Sequence, residues 1–168
     1  MKRRQALLLG LGLTAQWATA WLGAAAATAL EVEVPQLQDL AADGALARAG
    51  GMPLLLVFTS RDCPYCERLK AEVIRPMLFS RQYEGRLLVR EVLRGTDRLL
   101  GADGRATDGL ALAARYRVRL VPTMVWVGPE GEPLTGAIVG YNTPELFFGR
   151  VEAAQAQALQ RLRQAGAG

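Results

Sequence analysis

A chain of 168 residues, 51% of them apolar, is long enough to bury one core, and it carries a formal net charge of +4. Three of its 20 basic residues, Lys2, Arg3 and Arg4, precede the first acid, Glu31, and the others are nearly balanced by 16 acidic side chains. The high isoelectric point therefore makes no case for nucleic-acid binding, and no basic stripe interleaved with aromatics supplies one.

Residues 1–29 read as an export signal. Lys2-Arg3-Arg4 is the charged start, and Ala6 to Leu13 opens an apolar run that continues through Trp21 and Ala27. Ala27-Thr28-Ala29 fits the small-x-small rule for cleavage before Leu30. Arg3-Arg4 followed by Gln5-Ala6-Leu7 weakly resembles a twin-arginine signal. The alternative is an uncleaved membrane anchor, because the apolar stretch is long enough to span. Either way, residues 30–168 are expected on the outer side of a membrane, since the positive residues stay inside.

Beyond the signal no internal repeat or low-complexity tract is present. Gln36 to Ala49, with apolar residues at Leu37, Leu40, Leu46 and Ala49, predicts an amphipathic helix that Gly50-Gly51 ends. Leu54 to Thr59 is a continuous apolar run, the pattern of a strand buried on both faces. Cys66 to Leu78 predicts a helix with Leu69, Val73, Ile74 and Met77 at helical spacing, and Pro76 should kink or end it. Leu87 to Leu93 is a second strand.

Gly95 to Gly109 is polar, with a hairpin-like excursion at Ala102-Asp103-Gly104. Asp108 can cap a helix from Leu110 to Tyr116. Thr123 to Val127 is a third strand, Pro129-Glu130-Gly131 a turn, and Leu134 to Gly140 a fourth strand paired back as a hairpin. Thr143-Pro144 is an N-cap with proline at the first helical position, opening a helix to about Arg163. Ala165 to Gly168 should fray. Trp126, Phe147 and Phe148 are expected in the core. This order predicts an α/β fold, a mixed sheet with helices on both faces, whose first two strands are parallel.

The only two cysteines, Cys63 and Cys66, enclose Pro64 and Tyr65 where a buried strand meets a helix. A helix starting at Pro64 would put Cys63 at its cap and Cys66 in its first turn. Free amides and the positive end of the dipole then stabilise a thiolate at Cys63. Such a thiolate would attack a substrate disulfide, and Cys66 would resolve the mixed disulfide. Three plainer readings compete. A zinc site needs about four ligands, and a chain with no histidine and no third cysteine could build one only between copies. A purely structural disulfide would close a very short loop, worth only roughly 2 kcal/mol. The third is a chance pair of buried thiols. Redox chemistry is the strongest of the four, because the spacing, the strand-to-helix junction and an exported chain coincide.

Val57 to Cys66 resembles the strand and active-site turn of thioredoxin-like proteins, and Val121-Pro122-Thr123 is similar to their cis-proline loop. Gly140-Tyr141 before the last helix is also similar to exported members, and the resemblance runs from Gln36 to about Leu162. Within the family it is most similar to periplasmic thioredoxin-like proteins associated with sulphur oxidation or with cytochrome maturation. The resemblance implies a thioredoxin fold over residues 30–168: a mixed four-stranded sheet flanked by helices. It implies a cis Val121–Pro122 peptide, with the backbone of Val121 pairing to substrate beside the dithiol. Tyr65, inside the redox turn, is expected to be exposed and to shape the partner surface.

Departures from the family pattern are informative. Thioredoxin has a buried carboxylate six residues before its first active-site cysteine, where this chain has Val57, and Trp just before that cysteine, where this chain has Asp62. Proton transfer to Cys66 must then use water or another group, Glu67 being one candidate against its plainer reading as a solvated helix face. Asp62 should raise the Cys63 pKa and Arg61 should lower it. Cys-Pro-Tyr-Cys is common in glutaredoxins, but their Gly-Gly-x-Asp segment for glutathione is missing: the chain reads Val127-Gly128-Pro129-Glu130-Gly131.

The sequence thus predicts an exported, periplasmic thiol–disulfide oxidoreductase that needs no cofactor and no metal. Its partners would be periplasmic protein thiols or disulfides, with a membrane electron carrier as donor. The alternatives are a disulfide oxidase or isomerase, and a redox-inert binding module on the same fold.

Overall fold

The computed structural model describes residues 33–142 and 144–166. The predicted export segment and the predicted cap Thr143 lie outside them. The elements in chain order are α1 (Leu40–Gly50), β1 (Leu54–Thr59), α2 (Pro64–Leu69), a π-helical turn (Lys70–Ile74), α3 (Arg75–Phe79) and β2 (Leu88–Leu93). A small hairpin of β3 (Leu99–Leu100) and β4 (Ala106–Thr107) follows, then α4 (Gly109–Arg115), β5 (Thr123–Val127), β6 (Ile138–Val139) and α5 (Pro144–Ala165). No helix among the described residues is long and apolar enough to cross a membrane.

The main sheet has the order β2-β1-β5-β6, with β1 parallel to β2 and antiparallel to β5, and β5 antiparallel to β6. Side chains of β1 alternate between its two faces, as the strand period requires. Leu55 and Val57 join a core with Leu69, Val73, Trp126, Phe147 and Val151, beneath α2 and α5. Leu54, Leu56 and Phe58 join a second core with Leu40, Ala47, Leu112 and Val125, beneath α1 and α4. A strand covered on both faces must be apolar throughout, and all six residues of β1 are buried.

Several predicted features are present. Asp108 caps α4, its carboxylate accepting from the Ala111 amide at 2.7 Å. Gly51, at φ 60°, closes α1 in the left-handed conformation that glycine adopts without strain. The excursion near Ala102 is the β3–β4 hairpin, Leu99 opposite Thr107. Pro144 opens α5.

Other expectations need correction. The first helix starts at Leu40 rather than Gln36, with Asp39 as its cap. Residues 35–37 are instead extended along β2: the Leu37 amide donates to Glu91 O and the Glu91 amide to Pro35 O, both at 2.8 Å. The buried stripe of α1 is Leu40, Asp43, Gly44 and Ala47, so Leu46 and Ala49 face solvent. Asp43 is buried because Arg90 of β2 grips it with two hydrogen bonds, 2.6 and 2.8 Å. Gly44 is required there, since a Cβ would stand 2.2 Å from the Pro129 carbonyl oxygen.

Pro76 does not stop its helix. The helix widens over Lys70–Ile74, where the Arg75 amide reaches back five residues to Lys70 O, and the chain resumes α-helical form with proline in the first turn of α3. The predicted strand Leu134–Gly140 is only two residues long as β6. Its backbone pairs again through Leu134 to Trp126 O and Gly140 to Pro122 O, both 2.8 Å, and only residues 135–137 leave the ladder. Trp126 and Phe147 are fully buried as expected, but Phe148 is 41% exposed. Next to Phe147 on a helix it is turned by about 100° away from the sheet.

Candidate active site

Strand β1 ends at Thr59 and the turn Ser60-Arg61-Asp62 delivers the chain to α2. Asp62 takes φ 54°, a left-handed conformation that Asp tolerates better than most residues. Cys63 is then extended (φ −105°) and stands as the N-cap of α2, with Pro64 in the first turn. Its sulfur accepts a hydrogen bond from the Cys66 amide at 3.2 Å, and its carbonyl accepts from Cys66 and Glu67. Cys63 and Cys66 are joined as a disulfide with their Cα atoms 5.2 Å apart. Cys66 is fully buried, Cys63 half-buried, and Tyr65 stands 58% exposed between them.

The register of the sheet brings the second predicted segment to this end of the molecule. Thr123 of β5 pairs with Phe58, so Pro122 falls beside the end of β1 that leads to Cys63. The Val121–Pro122 peptide is cis. The loop is held from below by the Gly140 amide donating to Pro122 O and by Thr123 Oγ1 donating to Leu120 O, both at 2.8 Å. Pro122 is buried, Val121 half-buried and Leu120 exposed.

Glu67 is exposed at 61% of its side chain and lies 2.9 Å from Lys70 Nζ. Lys70 is far less exposed, at 14%, and also bonds Glu91, whose side chain is 7% exposed. Burial alone would depress the lysine, but its hydrogen bonds to Glu67 and Glu91 and their charges outweigh it and hold the ammonium above its ordinary pKa. Glu91 accepts a further hydrogen bond from Thr59 Oγ1 at 2.7 Å. The sequence reading missed this trio of buried Thr59 and Glu91 with half-buried Lys70. Its one signal was a charge at the inward position of an apolar strand, two residues after buried Val89.

On the other side of α2, Tyr141 donates to Glu72 Oε2 at 2.5 Å, while Arg68 lies 3.2 Å from the same carboxylate and 5.6 Å from the Tyr141 ring centre. The Tyr141 bond and the Arg68 bond hold the Glu72 carboxyl below the usual carboxylate range. A depressed carboxylate contributes stability above its unfolded pKa and loses it as pH falls through the lower folded value. Tyr141→Phe should therefore move the Glu72 titration upward, toward an ordinary carboxylate, in a carbon-detected NMR titration. An unmoved midpoint would mean that the hydroxyl contributes nothing to that carboxylate.

Residues 40–155 match the thioredoxin-like domain. The chain belongs to the thioredoxin-like family. Among solved structures, a thioredoxin from Thermus thermophilus is 26% identical, with 75% of this chain and 91% of that one superposed at a TM-score of 0.56. A DsbH oxidoreductase is 19% identical, covering 88% and 95% at the same TM-score. The periplasmic thioredoxin SoxS from Paracoccus pantotrophus is 20% identical, covering 63% and 98% at a TM-score of 0.46. No curated protein matches the chain in sequence. As a thioredoxin-like protein it carries the family's cysteine pair, Cys63 and Cys66, on the family's mixed four-stranded sheet.

Proposed function

We propose that this thioredoxin-like protein is an exported thiol–disulfide oxidoreductase that reduces disulfides of periplasmic protein partners. The observation that carries the reading is the place of Cys63: its sulfur is the capping acceptor of α2, bonded to the Cys66 amide. In the reduced protein that amide and the helix dipole favour the thiolate, which is the attacking species. The Cys63 thiolate attacks one sulfur of the partner's disulfide and the other partner sulfur leaves, which forms a mixed disulfide. Cys66 then displaces the partner from Cys63. The pair gives up two electrons and the partner's disulfide becomes two thiols.

The substrate surface in this reading is Tyr65 with the Val121 backbone and Pro122. Residues 1–29 direct export, or remain as an anchor, and a membrane electron carrier re-reduces the pair. Composition supports the direction. The chain has no histidine, so no imidazolium stands inside the Cys-Pro-Tyr-Cys turn, and the phenol of Tyr65 has no cationic form. The Cys63 thiolate therefore lacks the added positive charge that makes a strong oxidant.

Equilibration with a glutathione buffer tests the direction. A reduction potential near about −270 mV supports a reductant, and one near about −120 mV would assign oxidase work instead. Acid-quenched cells should hold the cysteines mostly reduced, and native protein should begin near Leu30. Cysteines oxidised whether or not the membrane donor is present would overturn the reading.

A further inference from the structure

Val57, fully buried, stands on β1 where thioredoxin carries its buried carboxylate. A carboxylate is nevertheless present at the same level of the sheet. Glu91 is the register partner of Val57 on β2 and is 6% exposed. It faces the core beneath α2, because Thr59 and Lys70 both bond its Oε1, at 2.7 and 3.1 Å. Lys70 lies four residues after Cys66, and its amide bonds the Cys66 carbonyl. Residues so spaced share one face of a helix, so the ion pair sits one turn beyond the buried sulfur. Such a pair is a weak source of stability, since apolar side chains of the same volume in such a place are often as stable or more so.

We propose that Glu91 and Lys70 are positioning residues that set the protonation of Cys66, Glu91 supplying from β2 the carboxylate that β1 lacks. This rests on the exchange reading above. While Cys63 attacks, the Glu91 charge keeps Cys66 a thiol. During resolution Cys66 gives its proton to solvent water, which returns one to the departing partner sulfur, and the Cys66 sulfur forms a bond to Cys63 Sγ. The bond from Cys63 to the partner breaks, and the partner sulfur leaves with that electron pair and is protonated to a thiol. The Lys70 ammonium offsets the negative charge that passes through Cys66. Other charged groups about this helix start are Glu67 beside Cys66, Arg61 and Asp62 in the preceding turn, all exposed, and the Arg68–Glu72–Tyr141 cluster. From β1 and β5 the neighbours of this level are Val57, Thr59 and Met124, none of them charged.

The experiment measures the Cys66 thiol itself, by thiolate absorbance near 240 nm against pH in Cys63→Ser protein, with no partner present. Glu91→Gln keeps an acceptor for Thr59 and should lower the Cys66 pKa, whereas Lys70→Met should raise it, each by about one unit. The double variant should return toward the parent, and Lys70→Arg should restore the parent value if Lys70→Met is too unstable to titrate. A packing disturbance would move both single variants the same way. Shifts of one sign, or midpoints unmoved by either change, would overturn the proposal. Opposite shifts in a protein that exchanges with no disulfide would instead overturn the exchange reading and leave the electrostatic assignment standing.

Discussion

Cys66→Ser is expected to arrest exchange after its first step and to accumulate partners covalently held on Cys63. The sulfurs differ in what can reach them: Cys63 is half-buried at the head of α2, and Cys66 is fully buried. An outside disulfide can meet only the first. Cys63→Ser should accordingly lose the reaction by about three orders of magnitude or more, the scale seen when a covalent nucleophile is removed. Non-reducing gels of cells expressing each variant, with an insulin reduction assay on the purified proteins, check both. Partners trapped by Cys63→Ser and not by Cys66→Ser would reverse the roles.

Trp126→Ala should be the most damaging of the core truncations. The indole is fully buried, and its Nε1–H donates to Gln155 Oε1 at 2.9 Å. Gln155 in turn donates to Arg86 O at 2.7 Å, so one side chain joins β5, α5 and the chain entering β2. Truncating such a residue costs about 3–5 kcal/mol from lost burial and the cavity left behind. It also leaves a buried amide oxygen unpaired, a further cost of about 1–3 kcal/mol. A small domain has roughly 5–15 kcal/mol in all. Phe148→Ala, on the exposed side of the same helix, should cost under about 1 kcal/mol. Urea unfolding followed by circular dichroism compares the two, and similar midpoints would contradict this account of the core.

Much of this was legible because a few residues are constrained locally. Leu54 to Thr59 has no polar face to expose, so it can only be a central strand. Asp108 and Gly51 mark helix ends by chemistry that acts over three or four residues. The cis Val121–Pro122 peptide and the cysteine pair followed from family likeness and from spacing. What was misread depends on distant partners. Leu37 has helical spacing to Leu40, yet its amide goes to Glu91, fifty-odd residues along the chain. Leu46 looked like part of an apolar stripe, but Asp43 takes the inward place because Arg90 awaits it. Pro76 could be read only as a kink or an end, because the π-helical turn that accommodates it leaves no mark in a pattern of apolar residues. Glu91 could not be read as the partner of Thr59 and Lys70 until the parallel register set it beside Val57.

The two flanks of the sheet bear on what happens when two of these molecules meet. Beside β2 the backbone is already engaged by residues 35–37, and Leu100 bonds Gln38 O just beyond. At the opposite flank β6 offers only two residues before Gly140 turns the chain away at φ 76°. Among the described residues, neither side presents the long run of unsatisfied amides and carbonyls on which another strand could assemble. A protein with a reactive sulfur at its surface will at times form a disulfide with its own kind. With no strand edge to extend, such a pair gains no sheet hydrogen bonds between its members, and the next thiol to arrive can attack the disulfide that joins them.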